Sequence, residues 1–134
     1  MGTQIFVNLP VKNLKKSIAF FSELGYAFNP HFQDEASACM IIGEHIFSML
    51  LEHEKFSMFT PLPIVDANKS TEMLIALSCD SKEEVVAKIN KAIKAGGTRY
   101  SEAKDHGFMY QDGFKDLDGH IWEIFWMDPK AIPG

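Results

Sequence analysis

The sequence predicts an α+β fold in which one βαβββ unit is used twice. Three observations carry that prediction. A strand-like run leads into an N-capped amphipathic helix, and the same succession returns about seventy residues later. Each helical stretch ends at a glycine, Gly25 and Gly96. Three β-rich stretches follow each glycine, separated by turn residues. A half-buried sheet needs a partner, so two such units side by side are expected to curl into an open, cup-like mixed β-sheet barrel with the helices outside.

The elements follow in order. Ile5–Val11 reads as a strand, and Asn13 as the N-cap of a helix whose apolar positions are Leu14, Ile18, Phe21 and Leu24. Strand-like stretches are expected at about Tyr26–Gln33, Ala36–Ile42 and His45–His53, with Asp34-Glu35 and Gly43-Glu44 as turns. Residues 54–70 form a connector in which Phe56, Met58 and Phe59 are expected to make a short docked turn between Glu54 and the prolines Pro61 and Pro63. The second unit opens with Met73–Ser78. Ser81 with Glu84 forms a capping box, and Val85, Ile89, Ala92 and Ile93 make the apolar stripe. Thr98–Tyr100, Phe108–Phe114 and His120–Met127 complete it, with Asp118-Gly119 as a hairpin-type turn. One domain is expected over residues 1–134, with repeat units at about 3–53 and 71–128.

Composition excludes several functions. A net charge of −5 without a Lys/Arg run does not suit a phosphate-neutralising nucleic-acid binder or an anionic membrane surface. No apolar run is long enough for a membrane span, and the N-terminus lacks the basic-then-apolar pattern of a secretory signal. Gly2 is not a myristoylation site, because Phe6 stands where Ser or Thr is required. Cys39 and Cys79 sit singly in apolar runs and read as reduced thiols, so a cytoplasmic location is expected.

Two stretches resemble a known family. They are Leu9-Pro10-Val11-Lys12-Asn13-Leu14 with its following helix, and Phe114-Lys115-Asp116-Leu117-Asp118-Gly119-His120-Ile121-Trp122-Glu123. They resemble the opening and closing motifs of the vicinal-oxygen-chelate superfamily, which includes glyoxalase I, bleomycin-resistance proteins and extradiol dioxygenases. The resemblance implies the cup-like fold, a small-molecule ligand or substrate, and a homodimer. It also implies four metal-ligand positions, one on the first and one on the last strand of each unit. Here these are Phe6, Ser48 (or Met49 in the neighbouring register), Leu74 and Glu123. Only Glu123 is a strong ligand, whereas catalytic metal sites show three protein donors or more. No cofactor and no family-type metal are therefore expected, and the fold itself does not name a reaction.

Glu123 is the most informative residue. Were Trp122, Ile124 and Trp126 to pack on a helix, alternation would turn Glu123 to the other face among apolar groups. It would then act as a general base or as an anchor for a ligand donor, or be a buried carboxylate satisfied by a neighbour. His106 and Tyr110, flanking Gly107, are candidates for proton transfer beside it. Phe6, Asn8, Ser48, Leu50, Leu74 and Phe125 are the candidate ligand-binding residues. The Asp116–Gly119 stretch is a turn and no calcium loop, since Phe114 and Phe125 occupy the first and twelfth loop positions. The remaining histidines, His31, His45, His53 and His120, read as surface residues at strand ends and turns. The reading that follows is a metal-free binder of a small apolar or aromatic molecule. The alternatives are a glyoxalase-like lyase or other enzyme using Glu123 as acid/base, with a relocated divalent metal as one variant, and a non-catalytic interaction scaffold.

Overall fold

A computed structural model of the chain describes residues 2–131. The chain divides into two compact units, one up to Asp66 and the other from Ala67. Each contains the expected succession of strand, helix and three strands.

The first unit comprises β1 (Ile5–Val11), α1 (Leu14–Glu23), β2 (Ala27–Phe28), β3 (Ser37–Gly43), β4 (Ile46–Glu52) and the one-turn helix α2 (His53–Phe56). Its sheet runs in the order β1-β4-β3-β2, with β1 parallel to β4 and the other pairs antiparallel. Asn13 caps α1 as the sequence predicts, its side chain accepting from the Lys16 N–H at 3.1 Å. Gly25, at φ +100°, ends the helix in a conformation that favours glycine. Leu14, Phe20, Phe21 and Leu24 of this segment are buried with Leu9, Val11, Ala38, Met40 and Leu50 of the sheet. Each such large side chain contributes about 1.5–3 kcal/mol on full burial. The Glu52 carboxylate fastens the helix start to the sheet by accepting from the Leu14 N–H at 2.9 Å.

The second unit comprises β5 (Leu74–Ser78), α3 (Lys82–Lys94), β6 (Lys104–Asp105), β7 (Met109–Lys115) and β8 (Ile121–Met127). Its order, β5-β8-β7-β6, repeats that of the first unit, again with one parallel pair, β5 with β8. Ser81 caps α3 by accepting from the Glu84 N–H at 3.1 Å. Glu84 reaches back one residue further than a capping box requires, accepting from the Asp80 N–H at 2.8 Å. Val85, Ile89 and Ala92 are buried with Phe114, Trp122 and Ile124.

Four expectations need correction. The stretch Tyr26–Gln33 is strand only at Ala27–Phe28, because Asn29 then accepts from the His31 N–H at 2.9 Å and opens a short 3-10 turn at Pro30–Phe32. His53 starts α2 instead of ending a strand. Thr98–Tyr100 contributes a single bridge, Thr98 with Lys115, and the strand beyond it is only Lys104–Asp105. Met58 and Phe59 do not dock: they are 74% and 73% exposed.

Candidate functional site

Each sheet has one face shared with its helix and one face turned away from it. In the second unit, Trp122 and Ile124 lie on the helix side, both 0% exposed. Alternation then places Ile121, Glu123 and Phe125 on the helix-free face. Their cross-strand partners there are Leu74, Ala76 and Ser78 on β5, and Lys115, Gly113 and Gln111 on β7. Glu123 thus stands at the centre of three strands. Its Oε2 accepts from the Gln111 Nε2 at 3.2 Å, a diagonal contact along the same face.

Tyr100 reaches the same spot from outside the sheet. A Cβ built on Gly113 would meet the Tyr100 hydroxyl, its ring, and the Trp122 carbonyl oxygen at 2.9 Å. Gly113 has no positive φ, so it is needed for space: a strand glycine marks a close approach. The segment that carries Tyr100 is pinned. Thr98 and Lys115 exchange backbone hydrogen bonds of 3.0 and 2.7 Å. Arg99 Nη1 donates to both Asp112 oxygens at 2.9 Å. Burial pushes the Tyr100 phenol up in pKa, and the negative charges of Glu123 and Asp112 add to that. The phenol therefore stays protonated, a hydrogen-bond donor at neutral pH.

The predicted catalytic trio is not brought together. Tyr110 lies on the opposite face from Glu123, opposite Trp126, with the Lys82 ammonium 4.8 Å above its ring. His106 sits in the turn before β7, its N–H bonded to the Met109 carbonyl at 2.8 Å. Met109 is four residues along the strand from Gly113, which is about 13 Å at the usual rise. The neighbours of Glu123 are Gln111 and Tyr100, which sequence reasoning missed. Gly113 inside a strand was the readable signal.

In the first unit, Phe6 and Asn8 lie on the helix-free face with Phe47 and Met49. Phe6 is 46% exposed and stacks on Phe47, with ring centroids 4.8 Å apart. The Asn8 amide donates to the Phe6 carbonyl at 3.3 Å. Ser48 and Leu50 are on the other face, both 0% exposed, and the Ser48 hydroxyl donates to the Val7 carbonyl at 2.9 Å. Neither lines the helix-free face. Phe125 and Leu74 do, in the second unit, and Leu74 is 53% exposed.

The position in the first unit that corresponds to Glu123 is Met49, the other register allowed by the sequence. Counting back four residues from the helix N-caps Asn13 and Ser81 equates Leu9 with Leu77. Their parallel partners are Leu50 and Ile124, so the preceding residues, Met49 and Glu123, correspond. The repeat thus gives Phe6 and Met49 in the first unit and Leu74 and Glu123 in the second. The first pair offers only a thioether and the second only one carboxylate, and neither is a donor set for a hard divalent cation. Among the described residues, no group of three His, Cys, Asp or Glu side chains is placed to hold a metal ion. This donor set does not fit the superfamily's metal.

The closing motif has a structural explanation. Asp116 is buried and accepts from the Asp118 N–H at 2.9 Å, the His120 N–H at 3.0 Å and the Trp122 indole N–H at 3.0 Å. Gly119 turns the chain at φ +90°. Burial pushes the Asp116 carboxyl up in pKa, against the pull of His120 and of these donors.

Comparison with known proteins agrees with the architecture. A sequence profile of the bleomycin resistance protein-like N-terminal domain matches residues 3–43. The hypothetical protein SA1046 from S. aureus is 30% identical, over 94% of this chain and 95% of that one, with a TM-score of 0.79. A glyoxalase/bleomycin resistance protein/dioxygenase family enzyme from Burkholderia phytofirmans PsJN is 17% identical over 94% of this chain and 99% of its own, with a TM-score of 0.77. A genomically encoded fosfomycin resistance protein from Listeria monocytogenes is 19% identical over 94% and 91%, with a TM-score of 0.68. Those last two likenesses are of fold alone. No protein of curated function matches the sequence. With the doubled βαβββ unit, its two glycine-capped helices and the Asp116-centred closing turn, the chain belongs to the vicinal-oxygen-chelate superfamily, and its N-terminal stretch matches the bleomycin-resistance-protein-like profile.

Proposed function

We propose that the protein binds a small apolar or aromatic molecule without the superfamily's metal, on the helix-free face that carries Glu123. The observation that carries this reading is the exchange of metal donors for apolar groups. In the second unit, Leu74 stands at such a position beside the Glu123 strand and remains 53% exposed; in the first, taken by itself, Phe6 and Met49 hold the corresponding positions, with Phe6 46% exposed. Exposed apolar side chains with a few convergent polar groups are the usual make-up of a small-molecule site. The same reading takes the resistance-protein branch as the functional analogue and expects a homodimer in the cytoplasm.

The test is a thermal-shift screen of aromatic and alicyclic compounds, run with chelator and again with added zinc, nickel, manganese or iron. Stabilisation that is the same in both arms is expected. Binding that appears only with a metal, or stoichiometric metal in the purified protein, would refute the reading. Glu123→Gln separates binding from catalysis: an acid/base role predicts loss of turnover on an identified substrate with retained affinity.

A further inference from the structure

The Tyr100 hydroxyl makes no hydrogen bond to the protein among the described residues, and Glu123 has no ion pair there. Glu123 receives one neutral donor, from Gln111. A carboxylate offers about four acceptor positions, so most of its capacity is unused. The Tyr100 ring lies over Gly113, the direct cross-strand partner of Glu123. Direct partners have side chains about 5 Å apart at Cβ. A neutral O–H donor and an anionic acceptor therefore stand side by side on one face, with Leu74, Ala76 and Phe125 around them.

Gly113 shows that this placement is built in. Any side chain there would occupy the space of the phenol and crowd the Trp122 carbonyl oxygen. The Arg99–Asp112 ion pair holds the neighbouring residue on the opposite side of the same segment, with Asp112 only 4% exposed.

We infer that Tyr100 and Glu123 act as a donor–acceptor pair that holds the polar end of a flat apolar ligand, one bearing a carbonyl oxygen next to an N–H or O–H group. Primary amides, lactams and hydroxy ketones have this arrangement. Tyr100 donates to the carbonyl oxygen, and Glu123 accepts from the adjacent N–H or O–H. Anionic ligands are repelled by Glu123. The inference rests on the ligand-binding reading above, and it adds the ligand class and a residue, Tyr100, that selects it.

Four naphthalene probes test it: naphthamide, acetonaphthone, methylnaphthalene and naphthoate, titrated by calorimetry into the full chain. Wild type is expected to bind acetonaphthone about fivefold to tenfold more tightly than methylnaphthalene, the usual yield of a neutral hydrogen bond, naphthamide more tightly still, and naphthoate most weakly. Tyr100→Phe should bring acetonaphthone down to the methylnaphthalene level, weaken naphthamide by a similar factor, and leave methylnaphthalene unchanged. Among the described residues the hydroxyl makes no hydrogen bond, so this variant is expected to keep its structure. Glu123→Gln should relieve the penalty on naphthoate. If the probes bind but naphthamide shows no preference, or none that depends on Tyr100, the inference is overturned and the binding reading stands. If no probe binds, methylnaphthalene included, the binding reading fails and the inference with it.

Discussion

Asp116→Asn tests whether the closing motif is a structural device. The asparagine is nearly isosteric, and its Oδ1 can still accept from the Asp118 and His120 N–H groups. Its amide Nδ2, however, takes the place of Oδ2, which accepts from the indole N–H of Trp122 at 3.0 Å. Two donors then face each other, and Trp122 is 0% exposed, so no water can relieve them. An unsatisfied buried donor costs about 1–3 kcal/mol. For a chain of 134 residues this lowers the melting temperature by about 4–10 °C. The pH dependence has a definite sign. The folded-state pKa of Asp116 is raised above 3.8 by burial, so the native state holds the proton longer than the unfolded state. Its contribution is fully present below 3.8 and declines as pH rises through the folded value. Asparagine does not titrate, so the deficit of the variant is greatest at acid pH and narrows towards neutrality. Melts by circular dichroism at several pH values measure this. Adding Trp122→Phe closes a double-mutant cycle in which the two changes cost less together than separately. Additivity within about 0.5 kcal/mol would refute the reasoning, as would a variant whose deficit grows with pH.

Three further outcomes follow from the same geometry. Glu123→Gln removes a negative charge beside Tyr100, so the phenol should ionise at lower pH than in wild type, read from tyrosinate absorbance; an unchanged or rising pKa would contradict the shared face. Leu50→Ala, at a fully buried position on the helix side, should cost about 2–5 kcal/mol in urea melts, whereas Phe6→Ala at 46% exposure should cost less than half as much. The pKa of Asp105 is lowered from 3.8, first by its hydrogen bond to Lys82 and then by the Gly107 N–H; this stabilisation is present above 3.8 and is lost as pH falls through the folded value, so Lys82→Met should lower stability at neutral pH, change it little in acid, and thereby make the acid limb shallower.

Secondary structure was legible where local chemistry and tertiary packing agree. Asn13, Ser81, Gly25 and Gly96 mark the helix ends, because caps and left-handed glycines act within a few residues. Legibility failed where one residue decides a face. Gly43-Glu44-His45-Ile46-Phe47 resembles Asp118-Gly119-His120-Ile121-Trp122, and matching them equates Ser48 with Glu123. The first unit has a register irregularity between Ile41 and Gly43, and measured from the helix caps the matching strand position is one residue further on. A slip of one residue turns every side chain to the other face, which is why Met49, and neither Ser48 nor Leu50, lies on the helix-free side. Tyr110 failed for a related reason: closeness in sequence to His106 says nothing of the face, and pairing with Trp126 fixes it opposite Glu123. Tyr100 was hidden because it belongs to no regular strand, and what places it is the gap over Gly113, thirteen residues away.

Glu123 does not need a metal to justify its presence. A fully buried, unpaired carboxylate would be costly. This one is half-buried and already has the Gln111 amide on one oxygen. The superfamily's position has thus kept its carboxylate, while Gln111 supplies a neutral donor and Tyr100 brings a second polar group to the same face. A neutral donor compensates the charge only in part, and a resident cation such as Lys or Arg would have closed the site to ligands. What remains is an acceptor with unused capacity, as the proposed binding requires. On that argument, replacing Gln111 with Lys should stabilise the chain, through a charge-assisted contact, and at the same time abolish the preference for naphthamide. A Gln111→Lys variant that gains stability and keeps the preference would show that Glu123 is not where the ligand's donor lies.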